Sequence, residues 1–224
     1  MRFKVCGLTL IRDLRLAERA GAEYVGFVVE ADSPRAVTKW RAAMLARAAR
    51  AKPVYVTVDM PINDLVELVQ FQQPAAVQLH GDESAETIKA LVSQMGDKVA
   101  VWKALSMPAD LDQARAELDS LVQKAQQYKE AGAQAILLDT RLGGRSGGTG
   151  VSLPLCVARE FVQQCPLPCI LAGGIGPDNV LEVWQQVEPW AVDMSSRLER
   201  SPGVKDPAAM KRLAEVLAAH RAER

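Results

Sequence analysis

Neither sign of charge is in excess. The chain carries 27 Lys and Arg against 27 Asp and Glu, with only two histidines beside them. That balance gives no bulk attraction to nucleic acid or to an anionic membrane, so neither is expected as a partner, although a local cluster can still hold a small anion. Long apolar runs are missing too. No stretch reaches the roughly 20 residues a bilayer span needs, and residues 1–6 lack a signal-peptide core. A cytoplasmic protein is the expectation. Cysteines are few: Cys6, Cys156, Cys165 and Cys169. In the cytosol they stay thiols. Cys165 and Cys169 have ligand-like spacing, but no histidine lies near them, so packing is the expectation and a metal is not.

What the chain has in quantity is apolar surface. Hydrophobic residues make up 49% of 224, enough for a large core. Short apolar runs alternate with longer helical patterns from end to end. The runs predict strands near 3–6, 24–29, 53–58, 75–79, 98–104, 134–139, 168–172 and 190–194. Several are apolar throughout, such as Ala135-Ile136-Leu137-Leu138, which suits parallel strands covered on both faces. Gly21 and Gly96 read as residues that end the first and fourth helices. Asp206-Pro207 and Gly176-Pro177 read as the starts of the eighth and seventh. The segment 106–131 reads as one long fifth helix. The junctions Ala20-Gly21-Ala22 and Ala131-Gly132-Ala133 look alike, either as two solutions of one helix-to-strand turn or as a trace of half-barrel duplication; the first is favoured. No linker divides the chain. Eight strand–helix units predict an α/β fold, a single (β/α)8 TIM barrel over 1–224, with an open doubly wound sheet as the alternative.

In such a barrel the site lies at the C-terminal ends of the strands. The polar residues falling there are Cys6 after strand one, Arg35 after strand two, Asp59 after strand three, His80 after strand four, Lys103 near the end of strand five, Asp139 after strand six and Asp193 in strand eight. The turns after strands seven and eight, with Gly173, Gly174, Ser195, Ser196 and Arg197, sit where this fold commonly binds phosphate. Gly148 belongs to a further glycine-rich stretch, 143–150, which lacks the Lys-Ser/Thr pair of a P-loop and suits either a lid or a plain loop.

As an ordered set these motifs are specific. Lys4-Val5-Cys6-Gly7-Leu8-Thr9, Gly26-Phe27-Val28, Ser33-Pro34-Arg35, Val77-Gln78-Leu79-His80-Gly81, Leu138-Asp139-Thr140, Gly147-Gly148-Thr149-Gly150, Ala172-Gly173-Gly174, Asn179-Val180, Val192-Asp193 and Gly203-Val204-Lys205-Asp206 run in order over nearly the whole chain. Together they resemble the phosphoribosylanthranilate isomerase family of tryptophan biosynthesis. The resemblance implies an Amadori rearrangement of a phosphoribosyl anilide, with no cofactor and no metal. It implies Cys6 as general base and Asp139 as general acid. Arg35 matches the residue that binds the anthranilate carboxylate, a planar anion suited to a guanidinium fork. His80 and Asp193 are taken as substrate contacts or as residues that hold the loops. The partner is then a phosphosugar, and the chain a monomer or homodimer.

The chain departs from the family pattern at three places. The eighth turn reads Ser195-Ser196-Arg197 where Ser-Ser-Gly is usual. If that glycine served a left-handed backbone, Arg197 is a poor replacement; if not, it adds charge to the phosphate. Val151-Ser152-Leu153-Pro154 replaces an aromatic segment, and Thr57-Val58-Asp59 replaces Phe-Val-Asn. Two other readings therefore stand beside the isomerase: a paralogous barrel that binds a phosphosugar with altered substrate or regulatory role, and an isomerase of a related aminoaldose. Cys6 counts against the second, because those barrels pair two aspartates.

Overall fold

The computed structural model describes residues 1–142, 145–146 and 154–222. Eight strands are followed by eight helices in strict alternation. The strands are β1 (Phe3–Val5), β2 (Tyr24–Val29), β3 (Lys52–Thr57), β4 (Ala76–Leu79), β5 (Ala100–Pro108), β6 (Ala135–Leu142), β7 (Cys169–Leu171) and β8 (Ala191–Met194). The helices are α1 (Ile11–Ala20), α2 (Lys39–Ala48), α3 (Ile62–Gln72), α4 (Ala85–Met95), α5 (Leu111–Glu130), α6 (Leu155–Gln164), α7 (Val180–Val187) and α8 (Pro207–Ala222). All eight strands pair in parallel, and β1 pairs with both β2 and β8, so the sheet closes on itself. The open alternative is excluded, and the (β/α)8 barrel stands. No described helix is long and apolar enough to cross a membrane.

Closure explains the apolar runs. The face of each strand turned outward packs on a helix and the other fills the barrel. At the N-terminal end, Tyr24, Trp102 and Trp190 fill the barrel floor, with the Tyr24 and Trp102 rings 5.1 Å apart edge to face. That end is shut, so the barrel opens at the C-terminal ends of its strands.

The two similar junctions are the same turn. After α1, Gly21 (φ 91°) donates its N–H to Glu18 O and Ala22 to Ala17 O; after α5, Gly132 (φ 103°) donates to Lys129 O and Ala133 to Tyr128 O. Both are Schellman ends, which need a left-handed residue and so a glycine. Two expectations need correction. Residues 106–108 extend β5 rather than opening α5, because Pro108 favours an extended residue before it and Ser106 and Met107 pair with Asp139 and Thr140. Helix α5 begins after Asp110, whose carboxylate caps Gln113 N at 3.0 Å. Gly176-Pro177 does not start α7. Asn179 takes the Gly176 N–H on its Oδ1 at 2.9 Å and donates to Gly174 O at 3.0 Å, forming a turn that delays the helix to Val180. Asp206-Pro207 does start α8, with Asp206 Oδ1 accepting from Ala208 N at 2.9 Å.

Candidate active site

A cavity of about 690 Å³ occupies the open end of the barrel. Cys6, Arg35, His80, Asp139, Asp193, Gly173, Gly174, Ser195 and Ser196 all line it. Most of the residues read from the sequence therefore meet in one place. Gly148, like the rest of 143–150 apart from the short pair Arg145–Ser146, lies outside the described residues, as does 151–153.

Cys6 follows β1 directly, its N–H still bonded to Met194 O at 2.9 Å. Side chains alternate along a strand, so Lys4 and Cys6 share the inward face. Lys4 is buried, and its Nζ lies 2.7 Å from Asp193 Oδ2; the two residues pair across β1 and β8. The same ammonium favours the Cys6 thiolate, and the sulfur in turn favours the charged lysine. Room for both comes from β2. A Cβ on Gly26 would stand 2.8 Å from Cys6 Sγ and 3.1 Å from Lys4 Nζ, so only glycine leaves them their positions. Asp193 keeps its other oxygen, Oδ1, buried with no hydrogen-bond partner among the described residues.

Asp139 sits on β6, three strands round the ring from Cys6. Its Oδ1 accepts from Thr140 N at 2.7 Å, and its Oδ2 lies 3.5 Å from His80 Nε2. Gln78, buried on β4, places its Nε2 2.8 Å from His80 Nδ1. Nε2 is then the ring nitrogen turned toward Asp139. His80 thus reaches the acid candidate as well as lining the cavity.

Arg35 grips Glu199, with Nε 3.0 Å from Oε1 and Nη2 2.7 Å from Oε2. Glu199 opens a short hairpin, Glu199–Ser201 with Val204–Lys205, that follows the eighth-strand turn. Its Lys205 is buried and donates to Glu199 Oε1 at 3.0 Å, Cys6 O at 2.6 Å and Ser195 O at 3.3 Å. The hairpin therefore ties the second, first and eighth strand ends together. Arg35 has five N–H donors, and those on Nη1 make no hydrogen bond to a described residue.

In the seventh and eighth turns, Gly173 and Gly174 have φ of 93° and 61°. A Cβ on Gly173 would overlap Thr140 Oγ1. The backbone N–H groups of Gly173, Gly174, Ser195 and Ser196 donate to no described residue. Grouped N–H donors on a cavity wall make an anion site. Arg197 differs from expectation. It is exposed, and its Cβ packs over Gly176. Its residues Ser196–Leu198 form a 3₁₀ turn without positive φ, so an arginine fits the backbone there without strain. Asp59 does have positive φ, 48°, a conformation Asp tolerates as Asn does, and its Oδ1 holds Asp82 N at 2.7 Å.

The ionisable groups interact closely. Burial pushes the Cys6 thiol up; Lys4 and Lys205 pull it down and Asp193 pushes it up. Burial opposes the Lys4 ammonium, but Asp193 and Cys6 outweigh it and hold its pKa above the usual lysine value. Burial pushes the Asp193 carboxyl up, against Lys4, and Asp139 adds to the rise. Burial also disfavours the Glu199 carboxylate, yet Arg35 and Lys205 hold it below the usual range. The Lys205 ammonium is lowered by burial, with Glu199 opposing.

Lys4, Gln78, Glu199 and Lys205 were not singled out as site residues from the sequence. Lys4 had a signal: an ionisable residue two positions before Cys6 in an apolar strand must share its face. Glu199 had none, because its partner Arg35 lies 164 positions away and its partner Lys205 faces it only once the hairpin forms.

Known proteins match this chain along its length. The sequence model of the family described as N-(5'phosphoribosyl)anthranilate (PRA) isomerase matches residues 3–216. The N-(5'-phosphoribosyl)anthranilate isomerase of Pseudomonas aeruginosa (strain UCBPP-PA14) is 35% identical, over 99% of this chain and 97% of its own. The phosphoribosyl anthranilate isomerase structure from Thermus thermophilus superposes with a TM-score of 0.78 at 31% identity, covering 99% of this chain and 100% of that one. A phosphoribosyl anthranilate isomerase in complex with reduced 1-(o-carboxyphenylamino)-1-deoxyribulose 5-phosphate superposes with a TM-score of 0.76 at 25% identity, covering 98% and 99%. The chain belongs to the N-(5'-phosphoribosyl)anthranilate isomerase family.

Proposed function

We propose that this barrel converts N-(5'-phosphoribosyl)anthranilate to 1-(2-carboxyphenylamino)-1-deoxyribulose 5-phosphate, with Cys6 as base and Asp139 as acid. One observation carries the reading: a thiol and a carboxyl group face a single cavity from strand ends three apart, and four backbone N–H groups that donate to no described residue line the same cavity. The 5-phosphate belongs at those N–H groups. Its charge there is met by aligned peptide dipoles rather than by a lysine. The anthranilate carboxylate belongs at Arg35, on the guanidinium edge that Glu199 leaves open.

The chemistry follows from that placement. Asp139, protonated, gives its proton to the furanose ring oxygen; the C1–O bond breaks and the nitrogen lone pair forms a C1=N iminium. The Cys6 thiolate then takes the C2 proton, and the C–H electrons move to C1=C2 while the C1=N electrons return to nitrogen. The product of that step is an enolamine. It becomes the ketone when C1 takes back the proton from Cys6 and the C2 hydroxyl gives one to Asp139, which restores both groups. His80, with Nε2 3.5 Å from Asp139 Oδ2, steadies that carboxylate between the two transfers. Asp193 Oδ1, at the cavity wall and without a hydrogen-bond partner among the described residues, accepts from a sugar hydroxyl.

The test is direct turnover. The unstable substrate is made in place from anthranilate and phosphoribosyl pyrophosphate by a transferase, and its fluorescence is followed after this protein is added. The fluorescence falls if the proposal holds. A folded protein that leaves it unchanged, and that does not rescue a tryptophan auxotroph, refutes it.

A further inference from the structure

We propose that Lys4 is the positioning residue for the Cys6 thiolate: its ammonium group, anchored by Asp193, holds the negative sulfur at the cavity wall. This rests on the reading of Cys6 as base. Lys4 is 1% exposed, and a lysine so buried needs a counter-ion. Asp193 at 2.7 Å meets that need. An ion pair made only for stability would need nothing more. Here β2 also gives up a side chain at Gly26, and Sγ and Nζ stand 2.8 Å and 3.1 Å from the one point a Cβ would take there.

The remaining charges around Cys6 can be assigned one by one. From β1 comes Lys4 and from β8 Asp193, with Asp139 and His80 beyond it. The hairpin brings Lys205, whose ammonium binds the Cys6 carbonyl and is itself paired with Glu199 and, through it, with Arg35. From β2 comes Gly26, which carries no charge. Burial and Asp193 therefore favour the thiol, and two lysines favour the thiolate. Of the two, Lys4 lies with the sulfur at Gly26, whereas Lys205 binds the Cys6 carbonyl. Without it, burial and Asp193 act on the sulfur with only Lys205 against them.

Peptide-resolved alkylation tests this without relying on activity. Iodoacetamide reacts with thiolate, so the pH midpoint of Cys6 labelling, read by mass spectrometry, follows its ionisation. The expected midpoint rises by about one pH unit or more in Lys4→Met, a tenfold loss of thiolate at a given pH. Lys4→Arg brings it back toward the parent value, and labelling of Cys156, which is exposed, stays the same. Turnover of Lys4→Met falls at least tenfold near neutral pH and recovers as pH rises, with KM little changed. Should Lys4→Met leave Asp193 unpaired and fail to fold, Lys4→Met/Asp193→Asn is compared with Asp193→Asn alone, and the same rise is expected. An unchanged Cys6 midpoint overturns the proposal. A raised midpoint with full turnover retains the Lys4–Cys6 coupling and removes Cys6 from the chemistry instead.

Discussion

Replacing Gly26 by alanine adds one methyl group at the centre of the site. The new Cβ would stand 2.8 Å from Cys6 Sγ, 2.9 Å from Lys4 Cε and 3.1 Å from Lys4 Nζ. The closest of these falls about 0.6 Å short of the 3.4 Å at which ordinary contact begins. The strand holds the backbone on both sides, through the pairings of β2 with β1 and β3. The side chains must therefore retreat. Overpacking of this kind typically costs about 1–3 kcal/mol, a fall in melting temperature of roughly 2–12 °C for a chain of this size. The kinetic effect is expected to be larger, because a displacement near 1 Å at a reacting group lowers turnover by about 100-fold. Gly96→Ala is the control. A Cβ there meets nothing within 4 Å, though its φ of 58° still strains the backbone. It should lower stability and leave turnover alone. Thermal melts and kcat/KM measured on both proteins give the comparison. Gly26→Ala with normal kcat/KM, stable or not, would refute the view that the Cys6 and Lys4 positions are set by that glycine.

Three further outcomes follow from the same geometry. Glu199→Gln leaves Lys205 buried without a full counter-charge and should cost about 3 kcal/mol at neutral pH. The Glu199 pKa is depressed in the folded protein, so its contribution is present above the unfolded value near about 4.3 and lost as pH falls through the folded one. Denaturant melts should show the gap between parent and variant closing below about pH 4; a gap constant down to pH 3 contradicts the clamp. Arg35→Lys loses the fork but keeps a charge, so KM should rise about 10- to 100-fold with a smaller change in kcat. An unchanged KM takes Arg35 out of substrate binding. Gly173→Ala forces a Cβ onto Thr140 at a φ of 93°, beside Asp139, and should destabilise by about 2 kcal/mol or more in denaturant titrations.

The barrel was legible because its cause is local and repeated. Continuous apolar runs such as 135–138, separated by helical stretches, leave few other ways to bury both faces of each strand. Errors fell where side chains overrule local signals. The stretch 106–131 reads as one helix, yet ladder pairing with β6 carries the strand to Pro108. Gly176-Pro177 has the form of a helix start, yet Asn179 captures the backbone on both sides and moves the start to Val180. At the site, Cys6, Asp139 and the Gly173–Gly174 turn lay at strand ends, where the fold alone puts function. The Arg35–Glu199–Lys205 clamp joins residues up to 170 positions apart and has no periodic trace. Arg197 looked like the feature most able to disturb the phosphate site. The 3₁₀ turn holds it with an ordinary backbone, so the change from glycine brings no backbone strain there. The paralogue reading loses that support.

The central claim is that Cys6 and Asp139 act on one sugar from two sides. Turnover of Cys6→Ser and Asp139→Asn, measured on the substrate made in place, tests it most directly. Both proteins should melt within a few degrees of the parent, and each should lose at least about 100-fold in kcat. Near-parental kcat in either folded variant would contradict the account, because that residue would then move no proton in the reaction.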